Sequence, residues 1–341
     1  MRKIVISMMS VSLMLSVATA CTSNDNQVVE SSKVLPENAY ETAGVVDNEN
    51  ASLEYLRITD DLGREVVLKS KPERIVTLTP TFTSMLYETG GQAVGRVSFQ
   101  SFLGDIPAGA EDATEVGFNA QVNLEKVVSL KPDLVIGGVR LHDSMVEQLE
   151  ANNIPIVVLN MTTYEDVKSK LQFFSKLSDD DSKSEAVLKE MEQKITHLQS
   201  KVPANSPRVV IIQVSTREVT LERDNSIAGG AAKLLGVDNL GANLVAMEGR
   251  PDKTPFSLEK IMEFDPDLIL ISTRGSKEDI EPRMKQDMES HPAWSSLRAV
   301  NEGQVRFLPQ QYFLTNPGVD YADAVEYIGK VVYPEVYGYA E

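Results

Sequence analysis

One stretch of this chain is written twice. Asn123-Leu124-Glu125-Lys126-Val127-Val128-Ser129-Leu130-Lys131-Pro132-Asp133-Leu134-Val135-Ile136 returns as Ser257-Leu258-Glu259-Lys260-Ile261-Met262-Glu263-Phe264-Asp265-Pro266-Asp267-Leu268-Ile269-Leu270. Each copy reads as an amphipathic helix, a Pro-Asp turn and a buried strand. The copies lie 134 residues apart, from Leu124 to Leu258. That is too far for a stacked solenoid repeat, so the chain is expected to fold as two similar lobes.

The surroundings of each copy support an α/β reading. Tyr55–Ile58 and Glu65–Leu68 alternate around Asp-Leu-Gly as a small β-hairpin. Ile75–Leu78 is a buried strand, Thr79-Pro80-Thr81 a turn, and Phe82–Thr89 a helix stopped by Gly90-Gly91. Val94–Val97 is a strand, Asp143–Asn152 a short helix, and Ile156–Leu159 a further strand. Strands alternating with helices predict a mostly parallel sheet. Val187, Leu188, Met191, Ile195, Leu198 and Val202 keep helical spacing behind a capping Asp179-Asp180-Asp181-Ser182. A helix over 181–201 would be ~30 Å long, enough to bridge two lobes. The expected divisions are a first lobe over 55–165, connecting helices over 166–203 and a second lobe over 204–341.

Residues 1–20 carry Arg2 and Lys3, an apolar run and Ala18-Thr19-Ala20, the marks of an export signal. Cys21 follows, the only cysteine, in a pattern that resembles a bacterial lipobox, so a lipidated N-terminus is expected there. Residues 21–54 are polar and acidic and read as a tether. One cysteine allows no internal disulfide. The net charge is -17, and -19 once residues 1–20 are removed. So acidic a surface argues against nucleic acid and against electrostatic adhesion to anionic lipid. No stretch after the signal is long and apolar enough to cross a bilayer.

Several segments resemble, in order, the substrate-binding lipoproteins of ABC importers for iron-siderophores, haem and cobalamin. They are Asp60-Asp61-Leu62-Gly63-Arg64, Pro72-Glu73-Arg74-Ile75-Val76, Leu78-Thr79-Pro80-Thr81, Val116-Gly117 and Asn123-Leu124-Glu125. Leu130–Ile136, Leu234-Leu235-Gly236-Val237-Asp238-Asn239, Trp294–Val300 and Tyr333-Pro334-Glu335 continue the match. The resemblance implies two Rossmann-like α/β lobes joined by one long helix, with the ligand cleft between them and a closure of only a few degrees. It implies a monomer anchored by lipid outside the cytoplasm, in periplasm or at the cell surface, which hands its ligand to a permease dimer driven by a cytoplasmic ATPase. The chain itself has no phosphate-binding loop, no Gly-x-Ser-x-Gly elbow and no hydrolase histidine pair, and it is not read as an enzyme.

Ligands of open α/β sheets sit beyond the carboxyl ends of the strands. The loops so selected hold Arg140, Arg217, Arg223 and Arg274, with Arg96 and Arg250 close by. Their planar donors suit carboxylate, catecholate or hydroxamate oxygens, so the expected ligand is an anionic ferric chelate and no cofactor is expected. Phe82, Phe99, Phe102, Tyr312 and Phe313 are candidate apolar walls. Where some haem-binding relatives use a methionine and a histidine, this chain has Ala120 and Arg274, which demotes haem and leaves cobalamin open. A free-metal site is weaker still, because of the three histidines (His142, His197, His291) only His142 falls near the cleft. The permease-docking glutamates of relatives correspond to Ser84 and Gly230, with Glu88 one turn on. That departure keeps a tethered sensor or sequestering protein in view.

Overall fold

A computed structural model describes residues 54–100, 105–178 and 181–340. The expected signal, Cys21, most of the tether, Phe102 and the capping pair Asp179-Asp180 lie outside the described residues. The hairpin comes first, with Leu56–Thr59 (β1) antiparallel to Glu65–Leu68 (β2). Its turn is built by buried Asp60, whose carboxylate accepts from the backbone N–H groups of Leu62 (3.1 Å), Arg64 (3.0 Å) and Val158 (3.2 Å). One carboxylate thus shapes the turn and ties it to the first lobe.

The first lobe runs Ile75–Thr77 (β3), Pro80–Glu88 (α1), Ala93–Arg96 (β4), Thr114–Glu115 (β5), Gly117–Phe118 (β6), Gln121–Val122 (β7) and Leu124–Ser129 (α2). Leu134–Gly138 (β8), Val146–Glu150 (α3) and Ile156–Leu159 (β9) complete it. Its five-stranded sheet has the order β5-β4-β3-β8-β9 and is parallel throughout. Helix α1 starts two residues before the predicted Phe82. Pro80 suits a first helical turn, and the Thr79 side chain caps it by accepting from the Phe82 N–H. The helix predicted over 143–152 is a 3-10 turn followed by the short α3.

Tyr164–Ser175 (α4) and Asp181–Gln199 (α5) connect the lobes. The 19 residues of α5 span about 28 Å, close to the predicted bridge. The second lobe begins with Arg208–Ser215 (β10), Val219–Glu222 (β11), Ile227–Leu234 (α6), Asp238–Asn239 (β12) and Lys253–Pro255 (β13). Leu258–Phe264 (α7), Leu268–Arg274 (β14), Lys277–Met284 (α8), Pro292–Ser296 (α9) and Arg298–Asn301 (α10) follow. Val305–Phe307 (β15), Gln310–Phe313 (α11), Tyr321–Val332 (α12) and Pro334–Tyr337 (α13) finish the chain. Its sheet runs β13-β11-β10-β14-β15, with β12 also on β10. This sheet is parallel around β10, β12, β14 and β15 and carries an antiparallel edge, because a tight turn after Ser215 reverses β10 into β11, and β13 adds antiparallel to that edge.

Strand alternation decides what each face covers. Ile75, Leu134, Ile136 and Leu159 of the first sheet, and Val209, Ile211, Leu268 and Leu270 of the second, belong to one central core. Phe82 of α1, Phe174 of α4, Ile195 of α5, Ala231 of α6 and Val325 of α12 fill it. The alternate residues face outward: Val76, Val135 and Val158 under α2 and α3, and Val210, Ile212 and Ile271 under α7, α8 and α9.

The repeated segment has a structural reason. In both copies the residue before Pro-Asp is left-handed (Lys131 φ 48, Asp265 φ 44), which swings the next aspartate back against the first strand of its lobe. Asp133 accepts from the backbone N–H groups of Glu73 (2.8 Å) and Arg74 (2.9 Å), and Asp267 from that of Arg208 (2.8 Å). The Arg74 and Arg208 side chains return bonds to the carbonyls of Leu130 and Asp265. Each aspartate therefore sets the register of two central strands through charge-assisted bonds. Asp133→Ala and Asp267→Ala are each expected to lower stability by roughly 1–3 kcal/mol, measurable by urea denaturation.

Candidate functional site

The carboxyl ends of the two sheets meet at one set of charged residues. In the first lobe, β8 ends at Gly137-Gly138 and the following turn is held by buried His142. A Cβ on Gly137 would lie 3.0 Å from that of His142, so the missing side chain makes room for the imidazole. His142 Nδ1 accepts from the Gly138 N–H (2.9 Å), and its Nε2 donates to the Asn119 carbonyl of the β6–β7 turn (2.7 Å). That bonding selects the neutral tautomer and leaves no ring nitrogen for a metal. Burial pushes its pKa below the usual 6.5, against the pull of its two backbone partners and Asp143. Within this turn Arg140 is left-handed (φ 68), and its N–H donates to Asp143 Oδ1 (2.9 Å). The Arg140 guanidinium reaches the other lobe, where Nη1 lies 3.2 Å from Asp252 Oδ1.

In the second lobe, β10, β11, β13 and β14 enclose Glu222, which is 2% exposed. Its Oε1 accepts from Lys253 Nζ (3.2 Å), Gln213 Nε2 (3.1 Å) and Ser272 Oγ (2.5 Å). Burial alone would raise its pKa, but the Lys253 charge and bonds from Ser226, Ser272 and Lys253 outweigh it and hold the carboxyl below 4.5. Burial acts the opposite way on Lys253 and draws its ammonium below the usual range. The carboxylate is favoured in its charged form because it has hydroxyl donors as well as its cation. Above it, Arg250 pairs with Glu218, and Asp252 lies 4.0 Å from Lys253 Nζ.

Arg274 ends β14 beside this network. It is exposed by surface area, yet the surrounding protein desolvates it, the condition of a side chain on a concave wall. Desolvation lowers its pKa, Glu222 and Asp252 oppose that, and Arg140 and Arg250 add to it. Among the described residues its guanidinium has no hydrogen bond or ion pair. Arg140, Arg250 and Arg274 thus converge from both lobes.

The other predicted residues take different places. Arg96 is buried, with its guanidinium on the carbonyls of Ala110 (2.6 Å) and Val97 (3.1 Å) and on Glu115 (3.0 Å), so it braces a loop rather than facing a cleft. Phe99 is half-buried and lies 5.9 Å from the Arg96 guanidinium. Arg223 bonds the Ala242 (3.2 Å) and Pro251 (2.6 Å) carbonyls and thereby positions the loop that carries Asp252. Arg217 is exposed at the β10–β11 turn. Phe82 and Phe313 are core residues, each 2% exposed, and form no ligand wall. Tyr312 is half-buried and lines a cavity of about 320 Å³ with Thr81, Ser84, Asp105, Asn316 and Asp320. A larger cavity of about 570 Å³ lies between β1 and helices α4 and α5, away from the strand ends. Asp252 and Glu222 were missed in the sequence because neither sits in a recognisable motif.

A family model described as periplasmic binding protein matches residues 75–312. The chain belongs to the periplasmic binding protein family. It is 27% identical over 290 residues to YhfQ of Bacillus subtilis strain 168, assigned as an ABC transporter substrate-binding lipoprotein, with 82% of this chain and 88% of that protein covered. It is 25% identical over 254 residues to the Fe(3+)-citrate-binding protein YfmC of the same organism, covering 73% of this chain and 77% of that one. Staphylococcus aureus IsdE, solved with heme, shares the fold at a TM-score of 0.67 and 19% identity, over 76% of this chain and 98% of that one. These likenesses agree with the bilobal α/β fold and with a family that binds solutes. Of the two residues weighed for haem, Ala120 is an exposed turn residue and Arg274 joins the arginine group. No group of His, Cys, Asp and Glu among the described residues is arranged to hold a metal ion, and no described helix is long and apolar enough to cross a membrane.

His142 gives a pH prediction. Its folded pKa is below 6.5, so the unfolded chain takes up the proton first as pH falls. The stability it contributes is present above pH 6.5 and is lost below it. Urea midpoints are expected to drop between about pH 7.5 and pH 5.5, and less so in His142→Gln.

Proposed function

We propose that this chain is the extracytoplasmic solute-binding component of an ABC importer, lipid-anchored through Cys21, and that its ligand is an anionic ferric chelate rich in carboxylate-type oxygens. The observation that carries the reading is the convergence of Arg140 with Arg250 and Arg274 from opposite lobes, in a chain whose net charge is -17. Three guanidinium groups in so acidic a protein repel one another, and an anion bridging the lobes offsets that repulsion. Planar donors on two lobes also match a ligand that presents several oxygens at once. YfmC, a relative named for ferric citrate, points to the same ligand chemistry. Loaded protein would pass its cargo to a permease pair coupled to a cytoplasmic ATPase.

A tethered sensor is the second reading, favoured by one observation. Gly230, at a position where importer relatives carry a docking glutamate, is buried against the Tyr321 hydroxyl.

The test is calorimetric titration of the full chain with ferric citrate, a ferric hydroxamate, a ferric catecholate, haem and cobalamin. Calorimetry is preferred because Trp294 packs in the outer core of the second lobe, remote from the strand ends. Sub-micromolar binding of one ferric chelate is expected, weakened at least about tenfold by Arg140→Ala or Arg274→Ala, since a charged hydrogen bond is worth roughly 1.5–3 kcal/mol. Binding of haem or cobalamin alone, or arginine variants that bind as well as the parent, would remove the ferric-chelate assignment.

A further inference from the structure

The Arg140 guanidinium already holds a carboxylate. Asp252 Oδ1 occupies Nη1 at 3.2 Å, and the pair joins residues 112 positions apart on opposite lobes. The arginine side chain is 47% exposed and the aspartate only 12%, so the carboxylate is fixed in the wall while the guanidinium is free to turn. The aspartate is held on its own side as well. Its backbone carbonyl accepts from the Arg223 N–H (3.0 Å), and its Oδ2 faces Lys253 Nζ at 4.0 Å. Among the seven side chains of the site, Arg140, Arg250, Lys253 and Arg274 face Glu218, Glu222 and Asp252. Four cations against three carboxylates leave one net positive charge, so Asp252 alone halves the charge the site shows to an anion.

We infer that Asp252 is a specificity-determining residue, a tethered carboxylate that competes with ligand oxygens for Arg140. This rests on the proposed placement of the ligand at Arg140 and Arg274. A group fixed within bonding distance acts at a high effective concentration, which a loose carboxylate in solution does not match. A metal-free acid such as citrate is flexible, loses conformational entropy when it presents its carboxylates together, and loses that competition. A metal chelate presents several oxygens as one rigid body, engages Arg274 and Arg250 together, and displaces the aspartate with that added attraction. Selectivity for the chelate over its metal-free acid thus comes from a repulsive element built into the site, not only from attractive ones.

The experiment is calorimetric titration of the full chain and of Asp252→Asn with ferric citrate and with metal-free citrate. Asp252→Asn keeps the shape and the Oδ1 acceptor and removes the charge. The expected result is a gain of about tenfold or more for metal-free citrate and a smaller gain for ferric citrate, so that the ratio between them narrows. A merely structural role would weaken both ligands together and leave the ratio alone. Asp252→Ser, with thermal melts of each protein, guards against a variant that fails to fold. Adding Arg140→Ala to Asp252→Asn should abolish the gain. If the parent binds ferric citrate but neither Asp252 variant narrows the ratio, the inference falls and the proposed function stands. If the parent binds neither ligand but Asp252→Asn binds citrate, the inference holds and ferric citrate is not the cargo. If no protein binds citrate in either form, the inference falls, and the proposed function is decided by the other ferric chelates of the panel.

Discussion

The two sheets of this molecule bury their inner faces against the same layer of helices, and that shared burial governs everything at the strand ends. Helices α4, α5, α6 and α12 share one central core with residues of both sheets. Separating the lobes would expose this apolar layer, at roughly 25 cal/mol per Å². Polar contacts reinforce the junction: the Thr81 hydroxyl donates to the Asn316 carbonyl, and Lys194 of α5 pairs with Asp323 and Glu326 of α12. The rings of Tyr164 and Tyr321 meet at 5.8 Å. A large clamp-like closure is therefore disfavoured, and the loops at the rim are the parts left to respond to a ligand.

Electrostatics at the rim work with that rigidity. The buried Glu222–Lys253 pair lies behind the arginines, where low dielectric makes each charge count for more. Replacing such a pair with apolar residues of equal size often leaves a fold no less stable, so its presence is weak support for a purely structural role. Here the carboxylate also acts on Arg274, helping to keep that guanidinium charged against desolvation. A fixed supply of negative charge under an exposed arginine keeps the arginine ready for an anion without pairing with it directly. Arg223 and Arg96, by contrast, have carbonyl or carboxylate partners within the protein and stabilise loops.

The architecture was legible in the sequence because it is local. The Leu-Glu-Lys and Pro-Asp-Leu repeat specifies a capped helix, a left-handed turn and a strand, all within about 14 residues, and Asp133 and Asp267 show why both copies keep the aspartate. The strand-end positions of Arg140 and Arg274 were legible because the buried strands were: Arg274 closes β14 and Arg140 lies two residues beyond β8. What could not be read depends on contacts distant in sequence. Phe82 and Phe313 stand in selected loops, yet each turns inward because a large ring contributes more to a core than to a rim. Arg96 lies at a strand end like Arg274, but the Ala110 carbonyl and Glu115 happen to meet its guanidinium. Asp252 gains its meaning only from a partner 112 residues away, and no local pattern marks it. His142 stands near the cleft in the sequence, but spacing does not reveal that Gly138 and Asn119 occupy both its nitrogens.

Packing in the second lobe leaves no room for a side chain at position 230. A Cβ at Gly230 would lie 2.7 Å from the Tyr321 hydroxyl, which donates to the Ile227 carbonyl inside the same core. Tyr321 is fully buried, and burial holds its phenol protonated far above neutral pH. A glutamate at 230 and a tyrosine at 321 are thus mutually exclusive in this arrangement, since the longer side chain would have to enter the space the ring fills. On α1 the geometry is more permissive: Ser84 is half-buried, whereas Glu88 is exposed one turn further along the same helix. Any carboxylate contact with a membrane partner therefore has a ready donor of charge on the first lobe, while on the second it must come from outside the buried face of α6.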